Sequence, residues 1–356
     1  MDASHLQRVL IVNPFGIGDV LFTTPLIKNL KQQIPDISLG YLANARTADI
    51  LKNYSLLDKV FVYDRDEFHR LYHRSKWEFL KRTRCCLDEI RAQQYDAVID
   101  LSMAMPTGFL MALAGIRERI GFDYRGRGRF LTTRIPLAGY EGRHVVEYYL
   151  DLLRRLGLEA KPLEMDFPMG PDDRRWAAEI FHRYHLDSCV ITIVPGGGAS
   201  WGPEASRKRW PAERFAELAD QLVETYGAKI VLAGGPEDKS LSQIIQSRMV
   251  NTALDFTGDL MPAQSAALFA KSHVVITNDG GPLHMAVAAG ARTVSIFGPV
   301  DERVYGPYPF AGHGCVSMKI PCRPCYHRFR VAQCAHLACL QELSVEDVFQ
   351  KVKDLL

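Results

Sequence analysis

Short, nearly continuous apolar runs alternate along the chain with longer stretches that repeat apolar residues at helical spacing. The runs that predict buried strands in the first half are residues 8–13, 38–42, 59–63, 97–101 and 119–122. In the second half they are residues 190–194, 228–233, 273–277 and 293–297. Strands buried on both faces of a parallel sheet carry such runs, and strands that alternate with helices form such sheets. The pattern therefore predicts an α/β protein with helices on both faces of parallel sheets.

The two series of strands are separated by residues 163–173, which are rich in proline, glycine and acidic residues and are typical of a linker. A chain of 356 residues is also long enough for two domains. We expect two Rossmann-like domains that face each other across a cleft, over residues 1–170 and 171–342. Residues 343–356 are predicted to form a final helix that packs back on the N-terminal domain.

Composition excludes several classes of protein. The formal net charge is only +2, which argues against a protein that binds nucleic acid. The longest apolar stretches, such as residues 109–116, fall far short of the ~20 residues of a membrane span. The first residues lack a basic region followed by a long apolar run, so we expect no signal peptide and a cytoplasmic protein.

The loop after the first strand, residues 13–19, offers the first candidate for chemistry. It contains Gly16 and Gly18, but Leu21 stands where a dinucleotide fingerprint has its third glycine, which disfavours NAD. Asp19 lies at the carboxyl end of that strand, where open α/β sheets bind their ligands. The same residue type also caps helices, so a catalytic carboxylate and a simple cap are both open.

Two loops of the second half are suited to phosphate. Residues 196–198 are three glycines after a strand, and a basic triplet, residues 207–209, precedes a helix that Pro211 begins. A solvated charged face is the alternative for the triplet.

Residues 280–283 open another helix with exposed amides, which attract anions. Asp279 is suited to a sugar hydroxyl and His284 to a phosphate oxygen, although a histidine that only packs is the alternative. Glu237 follows another strand and is suited to a ribose.

Arginines are concentrated between residues 115 and 145, with seven of them against three acidic residues. Arg125, Arg127 and Arg129 form the densest part, which predicts a site for an anionic acceptor or for anionic lipid headgroups. A charged surface loop is the alternative. Asp64 and Asp66 mimic the paired acids of metal-dependent glycosyltransferases, but we interpret them as part of a solvated loop.

Four cysteines near the C-terminus have the spacing of a metal site. Cys322 and Cys325 form a CxxC half-site, and Cys334 and Cys339 follow it. Such spacing is compatible with structural zinc, and reduced or partly disulfide-linked thiols are the alternative.

Taken together, these motifs resemble those of glycosyltransferase family 9, the bacterial lipopolysaccharide heptosyltransferases. The resemblance covers nearly the whole chain and rests on residues 18–21 with 24–25, 95–100, 195–196 with 208–211, and 277–286. It implies the two-domain GT-B fold. It also implies inverting transfer of L-glycero-D-manno-heptose from ADP-heptose to the inner core of lipopolysaccharide. No cofactor is then required, and the partners are an ADP-sugar donor and a Kdo and lipid A acceptor, with peripheral contact to the inner face of the cytoplasmic membrane.

The resemblance also assigns roles. Asp19 is similar to the family's general base and Lys208 to its diphosphate-binding lysine. The residues that we assign to the donor are Lys208, Glu237, Asp279, Gly280, Gly281, Pro282, Leu283 and His284. A transferase that uses another sugar nucleotide and a non-catalytic nucleotide-sugar binding protein are the alternatives. Asp19 favours the enzyme, because a binding protein needs the phosphate loops but no such carboxylate.

Overall fold

A computed structural model describes residues 6–197 and 199–356, without the side chains of residues 65, 199, 200 and 203. These residues form two compact units. The first contains the chain up to Tyr140 together with Val145–Leu163, and the second contains Glu141–His144 and Glu164–Leu356. The junction after Leu163 lies where the predicted linker begins. The chain thus enters the second unit for the short segment Glu141–His144 before it returns to complete the first.

The first unit is built on a sheet of six strands: β1 (Arg8–Val12), β2 (Ser38–Ala43), β3 (Lys59–Val62), β4 (Ala97–Asp100), β5 (Glu118–Tyr124) and β6 (Thr133–Leu137). Their order is β3-β2-β1-β4-β5-β6, and all neighbours are parallel. Val12 lies opposite Leu42 on one side and Asp100 on the other. The strand order reverses at β1, so the loop after β1 opens where α/β sheets bind ligands.

Helices accompany this sheet as the alternating pattern predicts. They are α1 (Ile17–Leu21), α2 (Thr24–Gln33), α3 (Ala45–Leu51), α4 (Arg65–Arg74), α5 (Lys76–Arg91), α6 (Met105–Leu113) and α7 (Val145–Arg155). The amphipathic stretch over residues 20–33 does not form one helix but is divided between α1 and α2. The hydroxyls of Thr23 and Thr24 donate to the carbonyls of Val20 and Leu21 at 2.6 and 2.7 Å, and Pro25 begins the new helix. These bonds replace the helical pattern at the junction.

The second unit repeats the architecture with β7 (Val190–Val194), β8 (Lys229–Leu232), β9 (Ala253–Asp255), β10 (Val274–Asn278), β11 (Thr293–Phe297) and β12 (Gly314–Ser317). The order is β12-β11-β10-β7-β8-β9, again with all neighbours parallel. Its order reverses between β7 and β10, so the loops after these two strands meet at the ligand-binding edge. The α/β prediction is confirmed for both units.

The helices of the second unit are α8 (Pro171–Arg183), α9 (Ala212–Tyr226), α10 (Lys239–Arg248), α11 (Pro262–Lys271), α12 (Gly281–Ala288), α13 (Glu302–Tyr305), α14 (Ala338–Gln341) and α15 (Val345–Lys353). Two 3₁₀ segments, Ala199–Lys208 and Pro236–Asp238, lie in loops after strands. A small antiparallel ribbon joins β13 (Tyr326–His327) and β14 (Arg330–Val331). None of the described helices is long and apolar enough to cross a membrane.

The C-terminal helix α15 belongs to the second unit. Ser344 caps it, since its Oγ accepts the N–H of Asp347 at 3.1 Å. Val345, Val348 and Val352 are buried in the same core as residues of α9 and β11. The apolar face of α15 is therefore used within the second unit. The predicted packing of this helix on the N-terminal domain stays a prediction.

Candidate active site

Asn278, the last residue of β10, joins the loops at the ligand-binding edge of the second unit. Its side chain is fully buried. Nδ2 donates to the carbonyl of Pro195, just after β7, at 2.7 Å, and Oδ1 accepts the N–H of Trp210 at 3.0 Å. One amide thus holds the loop after β7 and the segment before α9 against β10. Sequence analysis included Asn278 in a motif but gave it no role.

A buried ion pair lies directly beside this junction. Lys208 Nζ is 2.7 Å from Asp279 Oδ2, and the two side chains are 8% and 4% exposed. The same Nζ lies 4.2 Å from the centroid of the Trp201 ring, a cation–π contact. Apart from the ion pair, Asp279 Oδ2 has no hydrogen-bond partner among the described residues. A buried pair adds little net stability because both charges lose their hydration, so its position at this edge points to a functional role.

The three basic residues before α9 diverge. Lys208 pairs with Asp279, whereas Arg207 donates to the carbonyls of Ala332 and Cys334 at 3.4 and 3.2 Å. Arg209 donates to Asp238 Oδ1 at 3.3 Å. The triplet is therefore neither a uniform phosphate patch nor a solvated face. Of the three, Lys208 forms the buried ion pair with Asp279, and the two arginines hold neighbouring segments.

The amides at the start of α12 are the second polar feature of this edge. Gly280 is extended, Gly281 begins the helix, and Pro282 stands in its first turn. The first N–H groups of a helix have no partner within it and carry a partial positive charge. The predicted anion site over residues 280–283 thus has the backbone that it requires, and Asp279 links it to Lys208.

His284 is buried on α12, and its pKa is held well below the usual range, first by burial and then by His144 and Lys208. Burial also lowers the pKa of His144 to about 4. His144 Nε2 lies 3.1 Å from the carbonyl of Gly306, and its ring centroid is 4.8 Å from that of Tyr308. Both imidazoles are therefore neutral at neutral pH, and Nε2 of His144 carries the proton that the carbonyl accepts. Sequence analysis missed His144.

The loop after β8 contains two carboxylates, and the structure distinguishes them. Glu237 is exposed, while Asp238 is buried and accepts the N–H of Gly235 at 3.1 Å. Burial raises the pKa of Asp238. A Cβ on Gly196 would lie only 2.3 Å from Asp238 Oδ2, so glycine allows the loop after β7 to approach this carboxylate. Asp238 therefore shapes the loops, and the role of Glu237 toward a ribose stays a prediction.

In the first unit, Asp19 lies on α1 after β1. Its Oδ2 accepts the N–H of Gly16 at 3.3 Å, and its own carbonyl accepts Asn13 Nδ2 at 2.9 Å. The side chain is partly exposed. Its charge adds to the rise in the pKa of the Tyr41 hydroxyl, which burial mainly causes. Asp19 thus caps α1, one of the two roles that the sequence left open.

Asp100 is a second acidic group at this edge, and sequence analysis assigned it no role. It ends β4 opposite Val12 and is 4% exposed. Burial raises its pKa to about 6, although its Oδ1 accepts the N–H of Ser102 at 2.9 Å. The sequence feature that could have revealed it is an acidic residue at the end of a buried apolar strand.

Comparison with known proteins assigns this chain to a family. The family model of glycosyltransferase family 9 (heptosyltransferase) matches residues 84–336. The chain belongs to glycosyltransferase family 9. It is 25% identical over 301 residues to lipopolysaccharide heptosyltransferase 3 of Escherichia coli, covering 82% of this chain and 83% of that protein.

Solved structures of family 9 proteins have the same fold. The family 9 glycosyltransferase of Veillonella parvula superimposes with a TM-score of 0.83 at 23% identity, covering 100% of this chain and 98% of that one. The Escherichia coli heptosyltransferase WaaC with ADP-2-deoxy-2-fluoro heptose gives 0.73 at 19% identity, covering 98% and 100%. The chain is thus a glycosyltransferase of the GT-B fold class, as predicted.

The arginine-rich loop of this glycosyltransferase lies between β5 and β6. Arg125 and Arg127 both place their guanidinium groups near the Tyr124 ring, 4.9 and 5.6 Å from its centroid. Asp123 Oδ1 accepts the N–H of Gly128 at 2.8 Å and so closes the turn. Arg125, Arg127 and Arg129 are exposed. The loop therefore presents positive charge outward from a fixed turn, which suits an anionic ligand.

The four cysteines lie in residues 322–339, the cysteine segment. Burial raises the pKa of the Cys339 thiol, and Cys325, Cys334 and Cys322 lie close enough to add to the rise. Across the described residues, however, no group of three or more histidine, cysteine or acidic side chains is placed to hold a metal ion. The positions of the side chains thus give the zinc site no support. It stays a prediction, which elemental analysis of the purified enzyme tests.

Asp64 and Asp66, the mimic of a metal-binding acid pair, have a local role. Asp64 is the N-cap of α4, and its Oδ1 accepts the N–H groups of Asp66 and Glu67 at 2.9 and 3.1 Å. These bonds account for the carboxylate of Asp64 without a metal ion.

Proposed function

We propose that this glycosyltransferase moves heptose from ADP-L-glycero-D-manno-heptose to the inner core of lipopolysaccharide, with inversion at the anomeric carbon. Membership of the family supports heptosyl transfer. The identities of the donor and the acceptor are what we propose in addition. The observation that carries the proposal is the buried pair of Lys208 and Asp279, which lies beside the amides of α12 on loops that Asn278 joins. A diphosphate and a sugar hydroxyl together match this combination of groups.

The donor's diphosphate would meet two kinds of positive group. Lys208 supplies a full charge, and the amides at Gly281 and Leu283 supply the partial charge of a helix N-terminus. Negative charge grows on the diphosphate as the sugar departs, so both groups bind the transition state more strongly than the substrate. The reaction proposed here therefore requires no metal ion.

The sugar of the donor would be held by Asp279. Within the described part of the chain, its Oδ2 has no hydrogen-bond partner besides the ion pair, so it is able to accept the hydrogen bond of a hydroxyl of the bound sugar. Lys208 keeps the carboxylate ionised and oriented for that bond. The same pair thereby couples recognition of the sugar to recognition of the diphosphate.

Asp19 would act as the general base on the acceptor hydroxyl. A sugar hydroxyl is a poor nucleophile at neutral pH, and a carboxylate that removes its proton during attack accelerates transfer. The bond from the Gly16 N–H to Oδ2 fixes the orientation of the carboxylate. Capping and catalysis are then two uses of one side chain.

The acceptor would be recognised by Arg125, Arg127 and Arg129. Kdo carries carboxylates and lipid A carries phosphates, and arginine binds both groups through paired N–H donors. The two guanidinium groups that flank Tyr124 keep positive charge at one place on the loop.

The decisive experiment is incubation of the purified protein with ADP-heptose and a heptose-free Kdo–lipid A acceptor, followed by mass measurement of the product. We expect the acceptor to gain one heptosyl residue, and we expect Lys208→Ala to abolish most of this gain. ADP-glucose and ADP-mannose serve as matched donors. Faster transfer from either of them would overturn the assignment of heptose, and absence of transfer from ADP-heptose would overturn the proposal.

A further inference from the structure

Helices α4 and α5 of the first unit present a face that combines exposed apolar and cationic side chains. Trp77 is 78% exposed, Leu80 57% and Tyr72 48%. We call this the α4–α5 face, and its cations are Arg70, Arg74, Lys76, Lys81 and Arg84. A tryptophan exposed to this degree is unusual, because large aromatic side chains are ordinarily buried for most of their surface.

The helical spacing of α5 explains why these residues face outward. Cys86, Leu87 and Ile90 point to the interior, where they line a small apolar cavity with Phe68 of α4 and Met111 of α6. Trp77, Leu80, Lys81 and Arg84 are spaced as i, i+3, i+4 and i+7, so they share one side of the helix, which is different from the side that faces the interior. The core of the first unit is thus supplied by one side of α5, and the apolar residues of the other side are not needed for it.

The charge of these two helices is positive. Residues 65–91 contain eight lysines and arginines against five acidic residues, a net charge of +3. Arg74 and Arg84 are 80% and 85% exposed, and their nearest acids, Glu78 and Asp88, lie 4.0 and 3.6 Å away. Exposed pairs of this kind are weak, so these acids leave most of the positive potential in place.

We propose that the α4–α5 face docks on the surface of a bilayer that contains anionic phospholipid. A helix that lies in the membrane interface combines tryptophan and leucine on one side with lysine and arginine around them. Trp77 and Leu80 would enter the headgroup region, where tryptophan is favoured. The long cationic side chains would extend to the phosphates.

Two other kinds of partner fit the face less well. A protein partner would require a complementary acidic surface, and nucleic acid would leave Leu80 without an apolar neighbour. An anionic bilayer offers apolar depth and negative charge at the same place. The inference rests on the α4–α5 face and deepens the proposed function, since an acceptor that carries lipid A resides in such a membrane.

The test is sedimentation of the full-length protein with vesicles, in the absence of donor and acceptor. Vesicles of phosphatidylcholine alone are compared with vesicles of equal parts phosphatidylcholine and phosphatidylglycerol. We expect binding only to the anionic vesicles and a loss of binding at high salt. Arg74→Gln with Lys81→Gln should weaken binding about 5-fold for each cation removed. Trp77→Ser with Leu80→Ser should weaken it at least ~10-fold through lost apolar burial.

Matched control variants replace exposed apolar and cationic residues of the second unit. Val250 and Met261 are 89% and 63% exposed, and Val250→Ser with Met261→Ser should leave binding unchanged. Arg174→Gln with Arg175→Gln is the control for charge. Thermal unfolding confirms that each variant is folded, and transfer to a lipid-free core oligosaccharide should be equal in all of them.

Three results would overturn the proposal. They are no binding to anionic vesicles, equal loss in the control variants, and a change of oligomeric state in Trp77→Ser with Leu80→Ser, which would assign the face to protein association. Because binding is measured without substrates, a failure of the proposed transferase reaction leaves this outcome unaffected.

Discussion

Replacing Asn278 tests whether one amide organises the donor loops. In Asn278→Ala, the buried N–H of Trp210 and the buried carbonyl of Pro195 lose their partners at 3.0 and 2.7 Å. Each orphaned group costs about 1–3 kcal/mol, so the free energy of unfolding should fall by roughly 2–6 kcal/mol. For a unit of this size that corresponds to a decrease in Tm of roughly 4–24 °C. The Kd for ADP should rise as well, because the loop that carries Lys208 loses its anchor.

Two further variants separate hydrogen bonding from size. Asn278→Asp still accepts the N–H of Trp210 but places an acceptor against the Pro195 carbonyl, so it should also weaken ADP binding. Thr192→Val removes a buried hydroxyl elsewhere in the same sheet, where Thr192 Oγ1 lies 2.7 Å from Ser272 Oγ. Ser272 keeps its bond to the Leu268 carbonyl at 2.9 Å, so this control should cost about 1 kcal/mol or less and leave ADP binding unchanged.

Calorimetric unfolding and titration with ADP measure both effects. The reasoning would be refuted if Asn278→Ala unfolded at the wild-type temperature and bound ADP with wild-type affinity. A loss of stability without a loss of affinity would show that the amide stabilises the sheet edge but does not position the ligand loops.

The remaining predictions concern charge. Lys208→Ala should lower kcat ~10²-fold or more and weaken ADP-sugar binding, whereas Arg207→Ala, which faces the cysteine segment, should leave kcat near wild type; equal effects would contradict the assignment. Asp19→Asn should lower kcat by ~10²–10⁴-fold with near-normal donor Kd and Tm. Full activity of this variant would show that Asp19 only caps α1. Replacing the exposed arginines of the β5–β6 loop by alanine should raise the acceptor KM without changing donor affinity. An equal loss of donor affinity would show that the loop does not act specifically on the acceptor. Burial raises the pKa of Asp100 to about 6, so the folded protein keeps this proton where the unfolded chain has lost it. Wild type should therefore lose stability as pH rises from about 4 to 6, and urea unfolding should show Asp100→Asn more stable by about 3 kcal/mol at neutral pH but not at acid pH. A difference that does not vary with pH would contradict this.

The central strands could be predicted from the sequence, whereas most edge strands could not. Central strands are buried on both faces and leave uninterrupted apolar runs. Strand β6 is an edge strand with an exposed arginine and Pro136, β9 has three residues, and β12 begins at Gly314. An edge strand needs fewer apolar residues, because one side of it has no neighbour.

The candidate site was predictable where backbone chemistry determines it and less so where side chains meet across loops. Glycine and proline at residues 280–282 predicted the start of α12. The partner of each basic residue in the triplet depends on which segments the fold brings near it, and periodicity contains no such information. Asp238 and Glu237 likewise differ in burial, and their adjacent positions in the sequence do not show which of the two is buried.

The excursion of residues 141–144 into the second unit has a consequence for how the enzyme is divided. A fragment that begins at Glu164 would contain every strand of the second sheet yet lack His144, whose imidazole bonds the Gly306 carbonyl and lies against Tyr308. The two halves are therefore not separable by a single cut. A chimera that exchanges the second unit between family members would have to carry this tetrapeptide with it, spliced into a first unit that stays otherwise intact.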